Sequence, residues 1–70
     1  MEKYRTLSDA MEAARKRSLI EPLDVHVIES PGSYERGMGD SDRPFYVDTE
    51  SFVRVFEKLH AVFRNGEEVA

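Results

Sequence analysis

His26 and His60 are the only imidazoles in the chain, and together with fourteen carboxylates they are the first candidates for metal or proton chemistry. A zinc site would need both rings to converge with side chains such as Asp24 or Glu57, because zinc takes four nitrogen, sulfur or oxygen ligands. The two histidines stand 34 positions apart and form no ligand motif. His26 falls on the strand face opposite Val25 and Val27. His60, three positions from Glu57 and four from Arg64, reads as a boundary side chain of an expected helix. Neither a metal site nor general acid-base use is expected of them.

Gly37-Met38-Gly39, with Gly32 upstream, could bring backbone amides close to a phosphate. A phosphate loop also needs a helix N-terminus after it and a Lys-Ser/Thr pair. Here the chain runs through Asp40 and Asp42, which repel phosphate, toward a strand. Asp40-Ser41-Asp42 opens like a calcium loop, but Pro44 stands where the third ligand should be and Phe45 where the glycine should be. Ser33 and Ser41 lie in no nucleophile-elbow pattern. An enzyme is therefore not expected, nor any cofactor or bound metal.

Two clusters remain for binding. Arg15, Lys16 and Arg17 could contact phosphates, but no aromatic residues interleave with them as single-strand binders require. Tyr34, Arg36 and Met38 belong to residue types enriched at protein interfaces, and they fall in a connecting segment. Glu35, Asp40 and Asp42 would supply a charged rim around them. Partner contact through this segment is the leading reading. Nucleic-acid contact through Arg15, Lys16 and Arg17 is the alternative.

The elements that must position these residues can be read from pattern. Thr6 or Ser8 caps a helix carrying Leu7, Ala10, Met11 and Ala14 at helical spacing, with Arg15 to Arg17 near its C-terminal end, where cations complement the dipole. Pro22 stops it. Leu23, Val25 and Val27 alternate with Asp24 and His26, which predicts a strand through Ile28 or Glu29. Ser30 to Pro44 is rich in turn formers and reads as a long loop. Phe45 to Val47 forms a second strand. Asp48 or Thr49 then caps a second helix in which Phe52, Val55, Phe56, Leu59, Val62 and Phe63 recur at steps of three and four, and Asn65-Gly66 ends it. The expected fold is α+β: a two-layer α-β-β-α domain, an antiparallel hairpin with both helices on one face, and room for a short extra strand near Met1 to Arg5. A two-strand sheet is marginal alone, so a homodimer through the second helix or a sheet edge is a third reading.

Length and charge bound the function. Seventy residues make one domain spanning 1–70, with a core worth only ~3–5 kcal/mol. The absence of cysteine removes disulfides and thiol chemistry and fits a reducing compartment. No apolar run reaches the ~18 residues of a membrane span, and MEKYRTLSDAMEAARKR lacks a secretory leader's apolar stretch, so a complete cytoplasmic chain is expected. The net charge is −4, split as +2 over residues 1–18 and −6 thereafter. That balance disfavours a duplex DNA footprint and suits steering of an oppositely charged partner.

The unit TLSDAMEAARKRS followed by DVHVIES occurs widely in small α/β domains and carries no site. In size, acidity and lack of catalytic motifs, the chain resembles small accessory proteins of phages and mobile elements, including anti-CRISPR inhibitors. That resemblance implies an inhibitor that occludes a nucleic-acid-binding surface of a host protein, with Asp40, Asp42, Asp48 and Glu50 standing where phosphates would sit.

Overall fold

A computed structural model describes residues 2–30, 42–50, 53 and 56–70. Its elements are β1 (Glu2–Tyr4), α1 (Leu7–Ile20), β2 (Val25–Glu29), β3 (Phe45–Asp48), β4 (Lys58–Arg64) and β5 (Glu67–Glu68). The strands form one sheet in the order β1-β3-β2-β4-β5, and every neighbouring pair is antiparallel. β1 and β2 consequently run parallel with β3 between them, and α1 joins them as the return segment of a split β-α-β unit.

α1 begins where Thr6, in extended backbone, accepts a hydrogen bond from the Asp9 amide at 3.1 Å, a cap that satisfies one of the helix's orphan donors. Ala10, Ala14 and Ser18 recur every four residues and are buried. Their small side chains let the helix approach the sheet closely, and Val25, Val27, Val47, Ala61 and Phe63 close the core beneath them. Ser18 joins the far end to the sheet. Its hydroxyl donates to the Arg15 carbonyl at 2.7 Å and accepts from the Gly66 amide at 2.8 Å.

The sheet is closed on its second face as well. Ile28, Tyr46 and Val62 alternate with the helix-facing residues, and all three are buried. β2 is thus apolar on both faces around a single histidine, His26, whose Nδ1 lies 3.2 Å from the Asp48 carbonyl oxygen.

The expected α-β-β-α layout is overturned: one helix packs on five strands. The predicted second helix over residues 49–64 is replaced, from Lys58 onward, by β4 and then β5. Asp48, expected as its cap, is the last residue of β3. Two physical facts explain the difference. β4 is buried on both faces over Ala61–Phe63 while Leu59 is exposed, so its apolar residues show no clean alternation and also satisfy steps of three and four. β4 also carries a bulge: Ala61 pairs with Val27 and Leu59 with Ile28, which leaves His60 as the extra residue. Asn65 and Gly66, read as a helix stop, have φ of 54° and 81°. Positive φ at both central residues is the signature of a two-residue hairpin turn. The homodimer expected through a second helix loses its element. The expected short N-terminal strand is β1.

Candidate interaction surface

The ends of four strands meet where residues 31–41 leave and rejoin the sheet. Tyr4 pairs with Phe45, Phe45 with Glu29 and Glu29 with Lys58, which brings the end of β1, the start of β3, the end of β2 and the start of β4 into one row. The row is closed by the Ser30 amide, which donates to the Pro44 carbonyl at 2.7 Å. That bond continues the β2–β3 ladder one step past the strands.

Beneath this closure lies a buried polar knot. The Glu57 carboxylate accepts from the Ser30 hydroxyl at 2.7 Å and from the Tyr46 hydroxyl at 3.1 Å. All three residues are at least nine-tenths buried. A carboxylate survives burial only when its oxygens are well bonded, so the knot ties β2's end, β3 and β4's start into one geometry.

On the helix side of the same row, the bulge re-aims His60. Its Nε2 lies 2.7 Å from a Glu29 carboxylate oxygen, and its ring meets Phe45 edge to face with centroids 5.8 Å apart. Arg5 and Asp42 complete the rim as an exposed ion pair at 3.8 Å. Tyr4 sits beside them with its hydroxyl pKa pushed up by burial and, next, by the charge of Glu2.

Of the sequence-predicted binding residues, Asp42 stands on this rim. Tyr34, Glu35, Arg36, Met38 and Asp40 lie outside the described residues, as do the glycines at 32, 37 and 39 and the serines at 33 and 41. Asp48 and Glu50 do not join Asp42. They lie at and just beyond the opposite end of β3, where the Asp48 carboxylate accepts from the Glu50 amide at 3.3 Å. Asp42 therefore stands at the other end of β3 from Asp48 and Glu50.

Arg15, Lys16 and Arg17, the alternative nucleic-acid contacts, each stand beside an acidic side chain. Consecutive helical positions point about 100° apart, and each has an acidic partner in its own helix region. Arg15 grips Glu12 through two bonds of 3.2 and 2.8 Å, Lys16 approaches the same carboxylate at 3.8 Å, and Arg17 pairs with Glu21 while reaching the Val47 carbonyl at 3.4 Å. The Arg15 hydrogen bonds hold the Glu12 carboxyl below the usual range. A phosphate would have to compete with these carboxylates.

An open groove of about 500 Å³ runs beside the helix, lined by Leu7, Ser8, Met11, Glu12, Arg15 and Phe63. Its apolar floor is continuous with the core. Among the described residues, no group of three or more His, Cys, Asp or Glu side chains is placed to hold a metal ion. Among them, too, no helix is long and apolar enough to cross a membrane.

The knot around Glu57 and the pair between Glu29 and His60 were not legible in the sequence. Their partners lie 27, 11 and 31 positions apart, and no local pattern connects them. No family model, curated protein or solved structure matches the chain.

Proposed function

We propose that this chain is a non-enzymatic protein-interaction module that meets its partner with residues 31–42 and the sheet end from which they spring. Tyr34, Arg36 and Met38 are the anchors, and Glu35, Asp40 and Asp42 form the charged rim. The observation that supports this most is the closure of both ends of the segment by the Ser30 to Pro44 hydrogen bond above the buried Glu57 knot. Binding segments work best when a rigid scaffold fixes where they leave and return, and a loop held at its base loses less entropy on binding.

The acidic excess after residue 18 favours a basic partner surface. A protein surface that binds nucleic acid has that character, so the module acts as an inhibitor that occludes such a surface, in the cytoplasm. The test is capture of partners on immobilised chain with and without nuclease. The reading expects a nuclease-resistant protein complex that is lost when Tyr34, Arg36 and Met38 are replaced by alanine. Retention of only nuclease-sensitive material, abolished by alanine at Arg15, Lys16 and Arg17, would replace this reading with nucleic-acid binding.

A further inference from the structure

Asn65 carries the only side-chain carboxamide in the chain, and a glycine follows it. That pair has a chemistry of its own. Glycine has no Cβ to hinder its neighbour, so the Gly66 nitrogen can attack the Asn65 side-chain carbonyl and close a five-membered imide. One C–N bond forms, the side-chain amide C–N bond breaks, and the proton shed by the Gly66 nitrogen leaves with ammonia. Water then opens the ring, at the side-chain carbonyl to give aspartate or at the main-chain carbonyl to give isoaspartate.

The fold obstructs the first step. Asn65 is exposed in the β4–β5 turn, where it and Gly66 have φ of 54° and 81°. In a two-residue turn the flanking residues close the ladder, here Arg64 and Glu67, so the Gly66 amide lies outside it. Ser18 of α1 supplies its partner. The Ser18 side chain is buried, its own proton is engaged by the Arg15 carbonyl at 2.7 Å, and its oxygen accepts from the Gly66 amide at 2.8 Å. A bond of that polarity keeps the proton on nitrogen, because a deprotonated amide would face the hydroxyl's lone pairs. Leu19 covers the same glycine: an added Cβ on Gly66 would fall 2.6 Å from Leu19 Cδ2. The base that must take the proton therefore has to enter where side chains of α1 already sit.

We propose that Asn65 is a deamidation site gated by the fold, closed while Ser18 holds the Gly66 amide and opened when the end of α1 lifts from the β4–β5 turn. The product alters the hairpin irreversibly. Aspartate at position 65 adds a negative charge beside Glu67 and Glu68. Isoaspartate runs the backbone through one extra carbon, which breaks the register that pairs Arg64 with Glu67 and Phe63 with Glu68. The site shares no residue with the segment proposed for partner capture, so either reading can fail alone.

The test is incubation of the whole chain at mildly alkaline pH, folded and in urea, with the mass gain of amide to acid followed on the intact chain and isoaspartate located in its peptides. Any gain reports Asn65, since the chain has no other Asn and no Gln. The folded wild type should convert at least about tenfold more slowly than the chain in urea, yet faster than that rate multiplied by its unfolded fraction, because local lifting of a helix end precedes global unfolding. Ser18→Ala, with its helical circular dichroism retained, should convert at least about threefold faster than the folded wild type, as loss of one hydrogen bond implies. A folded wild type that converts as fast as the chain in urea, or only as fast as its unfolded fraction allows, overturns the proposal without any variant. So does a folded Ser18→Ala protein that converts at the wild-type rate.

Discussion

Gly66→Ala tests the β4–β5 hairpin, because a helix stop would also hold Gly66 at positive φ but only the hairpin sets it against Leu19. Gly66 has φ of +81°, where an added Cβ would lie 2.6 Å from Leu19 Cδ2 and 3.1 Å from its Cγ. Holding an L-residue in the left-handed region costs about 1–2 kcal/mol. Leu19 is 61% exposed, so its tip can swing away, and displacing it from its rotamer adds about 0.5–1.5 kcal/mol. The two together amount to about 1.5–3.5 kcal/mol, against a margin of ~3–5 kcal/mol for a chain of this size. Thermal unfolding followed by circular dichroism should therefore shift down by about 6–28 °C. In a Leu19→Ala background the collision disappears and only the backbone part, about 1–2 kcal/mol, should remain. A Gly66→Ala protein within about 0.5 kcal/mol of wild type, the ordinary range for surface substitutions, would refute the hairpin assignment.

Two further outcomes rest on the polar contacts. Ser30→Ala and Tyr46→Phe each remove one hydroxyl from the Glu57 carboxylate, and urea unfolding should show a loss of about 1–3 kcal/mol for each. The double variant should lose less than the sum, because both bonds end on one carboxylate; strict additivity would show that the knot does not act as a unit. Hydrogen bonds from Arg64, followed by its charge and that of His26, hold the Asp24 carboxyl below its ordinary value. A carboxyl depressed in the folded state contributes stability above its unfolded pKa and loses it as pH falls through the folded one. Asp24→Asn should thus show a smaller drop in Tm than wild type on acidification below about pH 4, and identical acid profiles would show that the pair contributes nothing to stability.

The first helix was legible because its cap, its small-residue stripe and its stop are local: Thr6, Ala10, Ala14 and Pro22 announce it without reference to the rest of the chain. β2 was legible from its period-two alternation, and β3 from the short run of β-prone residues Phe45, Tyr46 and Val47. β4 was not, since Ala61, Val62 and Phe63 are buried on both faces and the bulge at His60 breaks the register that would have shown alternation. Asn65-Gly66 serves equally as a helix stop and as a hairpin turn. The pairing of Glu67 with Arg64 and of Glu68 with Phe63 decides between them, and it exists only in three dimensions. The base of the candidate site was invisible for another reason. Glu57 finds Ser30 and Tyr46, and His60 finds Glu29, only after the β2–β4 pairing has formed. The interface-type residues Tyr34, Arg36 and Met38 were recognisable by type alone.

Partner recognition by residues 31–42, on their closed base, is open to a direct comparison of three immobilised chains for the amount of nuclease-resistant partner each retains. The chains are the wild type, the Tyr34, Arg36 and Met38 triple-alanine variant, and the Arg15, Lys16 and Arg17 triple-alanine variant. The wild type and the Arg15, Lys16 and Arg17 variant should retain equal amounts, while the Tyr34, Arg36 and Met38 variant should retain at least about tenfold less, as expected when interface anchors worth over ~1 kcal/mol each are removed. Equal retention by the wild type and the Tyr34, Arg36 and Met38 variant would show that recognition lies elsewhere on the chain.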